Sequence, residues 1–207
     1  MPSDVLELPR RVVSELDAAT PEHLLLARLR RGEAAAFEHL VRQYQHRVYD
    51  FCVRMLGDRE EAFDLTQEIF LSVHRNLAGF RADARLTTWL YRVARNHCLN
   101  RIKHLKRRGR GVTDEYGESN ELSITDSLGG SEGPDEKLVR KVDRSLVHRA
   151  IEALDEEQRA LVVLRDVEGL SYEEIMDITE LPEGTVKSRL HRAREKLAGI
   201  LARLEGD

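Results

Sequence analysis

Apolar residues recur at steps of three and four along most of this chain, the period of an amphipathic helix. Phe37, Leu40, Val41, Tyr44, Val48, Phe51, Cys52 and Met55 form one such stripe, and Gly57-Asp58 ends it. Ala62, Leu65, Ile69 and Val73 form a second, on a helix predicted from Glu60 to about Asn76. A shorter helix precedes them. It starts at Thr20-Pro21-Glu22, with Thr as N-cap, Pro at the first helical position and an acid in the first turn, and should stop near Gly32. The stretch Leu77 to Arg85, which contains Gly79, breaks the period. From Leu86 a fourth helix is predicted to about Arg108, its stripe made of Trp89, Leu90, Val93, Ala94, Cys98 and Ile102.

Residues 111–136 differ in kind. They carry eight acids (Asp114, Glu115, Glu118, Glu121, Asp126, Glu132, Asp135 and Glu136), several Gly and Ser, and no Lys or Arg. With so little to bury, the segment reads as a flexible acidic linker. Helices should resume near Pro134-Asp135, and an amphipathic helix is predicted from Asp155 to Val167, closed by Glu168-Gly169. Ser171-Tyr172-Glu173-Glu174 then has the form of a capping box opening a helix from Tyr172 to Thr179. A tight connection through Leu181-Pro182 leads to a long helix starting near Thr185. The predicted fold is all-α, with a tail (1–19), a helical domain (20–110), the linker (111–136) and a second helical domain (137–207).

Composition alters this picture in one respect. The chain has 207 residues, 41% hydrophobic and 34% charged, with a net charge of -4 that would not suggest a nucleic-acid binder. The charge is segregated, however. Arg85 to Arg110 holds nine Arg and Lys and no acid, directly before the acidic segment. The two cysteines, Cys52 and Cys98, are far apart in sequence, without a Cys or His at metal-ligand spacing, and read as buried reduced thiols. Met1 to Asp17 mixes charges among its apolar residues, so no signal peptide or membrane span is expected and the protein should be soluble and intracellular. No nucleotide-binding glycine loop or nucleophile-base pair stands out, so neither an enzyme nor a cofactor is expected.

Three surfaces carry the chemistry. A short helix, a tight turn and a longer basic helix make a helix-turn-helix, whose last helix presents Lys187, Ser188, Arg189 and His191 for base edges and Arg192 and Arg194 for phosphates. On the basic helix, Asn96 and Asn100 stand one turn apart on the more polar side, suited to unstacked bases, whereas Trp89 sits on the apolar stripe. Asp64, Gln67 and Glu68 form an acidic-polar patch unsuited to DNA and suited to a protein partner.

These residues resemble a known family. Ala36-Phe37 with Tyr44-Gln45-His46-Arg47-Val48, then Asp64-Leu65-Thr66-Gln67-Glu68-Ile69-Phe70, is similar to the polymerase-binding part of sigma-70 family factors. Thr88-Trp89-Leu90-Tyr91-Arg92-Val93-Ala94-Arg95-Asn96 resembles their promoter-melting segment. Leu170-Ser171-Tyr172-Glu173-Glu174-Ile175 with Glu183-Gly184-Thr185-Val186-Lys187-Ser188-Arg189-Leu190 resembles their -35 reader. With these two domains alone, the chain resembles the extracytoplasmic-function (ECF) subfamily.

The resemblance implies a sigma region 2 domain, a sigma region 4 domain, and a factor that brings core RNA polymerase to promoter DNA and melts it. Asp64, Gln67 and Glu68 would dock on the clamp helices of the largest polymerase subunit. Phe80, Arg81 and Asp83, with Arg92, Asn96 and Asn100, would hold a base flipped from the -10 element. Thr185, Lys187, Ser188, Arg189, His191 and Arg192 would read the -35 element, His191 being a position with no assumed preference. The linker would run through polymerase towards the RNA exit path, near the flap region. An anti-sigma factor, often membrane-bound, would hold the protein inactive until a stress or envelope response. Two other readings account for parts of the chain: an operator-binding regulator that uses only the helix-turn-helix, and an RNA-binding enzyme subunit that uses Arg85–Arg110.

Overall fold

Gly57 takes a left-handed backbone conformation (φ 75°) and donates its N–H to the Val53 carbonyl, which closes one helix, and Asp58 at once caps the next by accepting from Glu61 N. Only glycine adopts that φ without a steric cost, so the turn is as short as the sequence suggests. The computed structural model describes residues 22–77, 80, 85–109 and 146–204. The N-terminal half contains α1 (Glu22–Arg30), α2 (Ala34–Leu56), α3 (Arg59–Asn76) and α4 (Leu86–Gly109). The C-terminal half contains α5 (146–152), α6 (Glu156–Val162), α7 (Tyr172–Thr179) and α8 (Glu183–Leu204). Residues 1–21, the linker 111–136 and the helix expected near Pro134 lie outside the described residues.

Most of each predicted stripe is buried, with Phe37, Val41, Trp89 and Val93 half-buried at the edges. Leu40, Tyr44, Val48, Phe51 and Met55 of α2 meet Leu65, Ile69 and Val73 of α3 and Leu86, Leu90, Ala94 and Cys98 of α4. Phe51 and Tyr91 touch edge-on, with ring centroids 5.5 Å apart. Cys52 and Cys98, distant in sequence, are neighbours across α2 and α4: both are fully buried free thiols, and Cys98 Sγ donates to Cys52 Sγ at 3.8 Å. Burial raises the Cys98 thiol well above its ordinary pKa, which keeps it protonated and unreactive.

Two boundaries differ from expectation. The helix read as Asp155 to Val167 is α-helical only from Glu156 to Val162, and then widens into a π-helical turn, Val163–Val167. The long basic helix begins at Glu183 rather than near Thr185, because Pro182 supplies its carbonyl to Thr185 N and Val186 N and so opens the helix one position after the proline.

The two helical halves expected from the sequence are both present, and among the described residues they touch: α7 packs on α4 and α6 on α2. Among the described residues four charge pairs join the halves: Arg47–Glu168, Arg85–Glu174, Arg95–Glu157 and Lys106–Glu156. In all four the cation lies on the N-terminal half. The Tyr91 hydroxyl donates to Glu168, whose side chain is only 8% exposed, and Arg159 donates to the Met55 carbonyl at 2.5 Å. Among the described residues no helix is long and apolar enough to cross a membrane.

Candidate polymerase and promoter interfaces

On α3 the inward residues Ala62, Leu65, Thr66, Ile69 and Val73 leave an outward face built from Phe63, Asp64, Gln67, Glu68 and Leu71. Asp64, Gln67 and Glu68 are all exposed, as the acidic-polar reading requires. Sequence reasoning missed Phe63 and Leu71, each 60% exposed and spaced one turn either side of Gln67. Their signal was present: both apolar residues fall off the buried stripe. An apolar pair ringed by acids is a surface for protein rather than for a polyanion. Arg101 of α4 reaches this face and pairs with both Glu61 and Glu68.

The loop before α4 is held at both ends by α1. Arg30 donates to the Phe80 carbonyl at 3.2 and 2.8 Å, and the Glu22 carboxylate accepts from Leu86 N at 2.5 Å, capping α4 from 64 residues away. Phe80 itself is 7% exposed, its ring centroid 5.0 Å from that of Trp89. Phe80, expected near a flipped base, has its ring packed inside against Trp89. Arg81 and Asp83 lie outside the described residues. Trp89 is half-buried on the core side, as its place on the stripe suggests. Asn96 and Asn100 are both exposed, one turn apart, with exposed Lys103 a turn further and Arg92 half-buried at the head of the same side. Their amides therefore project from a helix whose other face is fixed by the core, which places two hydrogen-bonding groups at constant spacing.

In the C-terminal half the capping box forms as predicted: Glu174 N donates to Ser171 Oγ at 3.2 Å, and Ser171 N donates to the Glu174 carboxylate at 2.8 Å. α7 ends at Glu180, which adopts a left-handed conformation (φ 59°), and Leu181-Pro182 turns the chain into α8. Val186, Leu190 and Ala193 bury one side of α8. Lys187, Ser188, His191 and Arg192 are exposed on the other, while Thr185 and Arg189 are half-buried at its margin. Lys187 is held between Glu183, at 2.6 Å, and the Tyr172 ring, 5.3 Å from its centroid, and the Arg165 guanidinium lies 4.6 Å from the same ring. The Glu183 carboxylate holds the Lys187 ammonium above its ordinary pKa, so it is charged at neutral pH. Arg194, expected near phosphates, instead makes a two-pronged pair with Asp166 of the π-turn. The extra residue of that turn points Arg165 and Asp166 at α7 and α8, a distortion that periodicity cannot forecast.

A small helix-turn-helix with an exposed basic second helix has the form of a DNA-binding module, and the amide-bearing helix and the apolar-acidic face are two further exposed surfaces apart from it. The chain matches the model of sigma-70 region 2 over residues 40–108 and that of sigma-70 region 4 over residues 144–197. It is 39% identical to the RNA polymerase sigma-H factor of Pseudomonas aeruginosa over 176 residues, 84% of this chain and 90% of that protein. It is 35% identical to the ECF RNA polymerase sigma-E factor of Escherichia coli over 176 residues, covering 85% and 92% of the two chains. The fold is similar to that of CnrH in complex with the cytosolic domain of CnrY (TM-score 0.63, 21% identity, covering 88% of this chain and 97% of that one). It is similar, too, to the sigma factor RpoE in complex with the anti-sigma factor NepR from Bartonella quintana (TM-score 0.63, 24% identity, covering 80% and 96%). This chain belongs to the sigma-70 family, as an ECF sigma factor. It is a transcription initiation factor that directs RNA polymerase to promoters, and not an enzyme.

Proposed function

We propose that the three exposed surfaces divide initiation among themselves. The α3 face, with Asp64, Gln67 and Glu68 and the apolar Phe63 and Leu71, docks on the clamp helices of the largest polymerase subunit. Asn96 and Asn100 of α4, with Arg92 and the loop that carries Arg81 and Asp83, hold a base flipped from the -10 element. Lys187, Ser188, Arg189, His191 and Arg192 of α8, with Thr185 at its start, read the -35 element in the major groove.

The observation that carries this reading is the separation of charge: the base-reading face of α8 is cationic, the amide face of α4 is polar and flanked by Lys103, and the α3 face is acidic and apolar. A duplex repels the third and attracts the first. Melting is then driven by binding. Unstacking a base costs a few kcal/mol, which capture in a fitted site offsets. The linker 111–136 passes through polymerase towards the RNA exit path, past the flap region, and its acids keep it off the DNA.

The partner at rest is an anti-sigma factor. The relatives of like fold are bound by CnrY and by NepR, and the same two halves are present here. The protein works in the cytoplasm, where polymerase and promoter are, and its anti-sigma factor links it to a stress or envelope signal. The test is transcription with purified core polymerase: Asn96→Ala should slow open-complex formation while leaving -35 duplex binding intact, and equal losses in both assays would defeat the assignment.

A further inference from the structure

Helix α4 begins at Leu86 after Arg85, whose side chain has no acceptor to offer a helix start, and its first turn holds no acid. The first N–H groups of a helix lack partners within it, and a Ser, Thr, Asp or Asn just before the helix commonly takes one. Here a carboxylate from another helix does so: Glu22, at the start of α1, accepts from Leu86 N at 2.5 Å. At the other end of α1, Arg30 donates to the Phe80 carbonyl through Nε at 3.2 Å and Nη2 at 2.8 Å. Its neighbours are used differently, since Arg28 and Arg31 both pair with Glu33. Leu25, Leu26 and Leu29 bury the inner side of α1 and fix the helix that carries both contacts. The start of α4 is tied to the core once more, where the Tyr44 and Thr87 hydroxyls meet at 3.2 Å.

These contacts make α1 a spacer. Glu22 and Arg30 stand at opposite ends of one straight element, about 12 Å apart along its axis at about 1.5 Å per residue. Through them α1 sets where Phe80 O and Leu86 N lie, and these are backbone groups at the two described ends of the loop assigned above to a flipped base. A loop whose ends are already fixed has less freedom to lose when it takes a ligand. Release of either end moves that ordering cost to the binding step and widens the set of geometries offered to the base. Neither side chain belongs to α4, where Asn96 and Asn100 project, so both act through the backbone they hold.

We propose that Glu22 and Arg30 are positioning residues for -10 recognition: through them α1 fixes both ends of the base-holding loop, and so sets how tightly and how selectively the -10 strand is held. This rests on the reading of α4 and its preceding loop as the -10 site. The two side chains work by different chemistry. Glu22 supplies an acceptor to an N–H that the local sequence leaves without one, and a neutral amide oxygen at the same place still accepts. Arg30 supplies two donors in a fixed fork to one carbonyl, which a lysine cannot reproduce although it keeps the charge. Loss of either partner leaves a part-buried backbone group without its hydrogen bond.

The experiment uses holoenzyme assembled from core polymerase and the full chain as wild type, Glu22→Ala, Glu22→Gln, Arg30→Ala, Arg30→Lys and, for reference, Asn96→Ala. Selection from single-stranded oligonucleotides randomised over the -10 element reads affinity and base preference together. Binding to -35 duplex, affinity for core polymerase and melting temperature are measured alongside. Glu22→Ala and Arg30→Ala should each weaken -10 binding roughly fivefold to tenfold, the size of a lost cap or charge-assisted hydrogen bond. They should also flatten the -10 preference, with -35 and core binding unchanged. Glu22→Gln should recover most of the loss and Arg30→Lys less of it. Arg30 is exposed, so its variants serve even if Glu22→Ala unfolds. An unchanged -10 profile in both alanine variants, equal losses at -10 and -35, or no recovery in Glu22→Gln overturns the proposal, and α1 then only supports the fold. A wild-type profile in Asn96→Ala beside altered profiles in the α1 variants sinks the reading of Asn96 instead and leaves the role of α1 in place.

Discussion

Glu68, on the outward face of α3, accepts a hydrogen bond from Arg101 of α4 at 2.7 Å, and Arg101 also pairs with Glu61 one side further along the same helix. The helix proposed to grip polymerase is thus tied to the helix proposed to hold the melted strand. Flanking this contact, Phe63 and Leu71 are apolar and exposed without serving the core. Replacing either with Ala should leave stability within about 0.5 kcal/mol, the range of exposed sites. The same change should weaken binding to core polymerase by more than about 1 kcal/mol, as loss of an apolar anchor does. Thermal melting and a titration of labelled protein with core polymerase separate the two effects. Unchanged affinity in both variants would remove this face from the docking site.

Much of this was legible beforehand. Helix ends at Gly57, Asn76, Ser171 and Thr179 follow from local chemistry: a glycine in a left-handed turn, a broken stripe, a capping box. Whatever depends on distant residues was not legible. Nothing local marks Glu22 as the cap of α4, nothing in the stripe of α4 separates Tyr91 and Arg95 as partners of Glu168 and Glu157, and the π-turn at Val163 changes no periodicity enough to be read. Phe80 illustrates the same limit. The resemblance implies a place near a flipped base, and nothing in the local sequence shows that its ring packs on Trp89.

Tyr172 touches no proposed base, but its ring helps to set where the Lys187 ammonium lies. Tyr172→Phe keeps the ring face and should preserve -35 preference. Tyr172→Leu removes a cation–π contact worth about 0.5–1 kcal/mol at an exposed site and should blur discrimination at one base pair. A selection from randomised -35 elements reads this directly. Uniform loss at every position would mean that Tyr172 only supports the fold.

Acid should loosen the protein. Burial lowers the pKa of both His148 and His97 below the usual histidine value; for His148, Arg54, Arg159 and Arg59 add to the effect and Glu152 opposes it. In the unfolded chain each titrates near its ordinary value of about 6.5, so the unfolded state takes up protons first. Stability is therefore full above that pH and falls as pH drops through it, until the folded-state pKa is passed. Urea midpoints measured from about pH 7.5 to 5.5, a window spanning that ordinary value, should decrease, and His148→Gln should flatten part of the slope. A midpoint that rises on acidification would contradict the assignment of a neutral, half-buried His148.

Removing the Ser171 hydroxyl should test the frame of the DNA reader. Ser171→Ala breaks one half of the capping box and should cost about 1 kcal/mol, visible as a lower melting temperature with -35 preference intact. Altered base preference would show that the cap also aims α8.

The central claim is that this chain selects promoters for polymerase through two separate readers. Run-off transcription with purified core polymerase and a library randomised over both elements tests it most directly. Transcripts should appear only when the chain is added, with a -35 preference that changes in Lys187→Ala and a -10 preference that weakens in Asn96→Ala. Binding to palindromic duplex without polymerase, and no transcripts with it, would contradict the account.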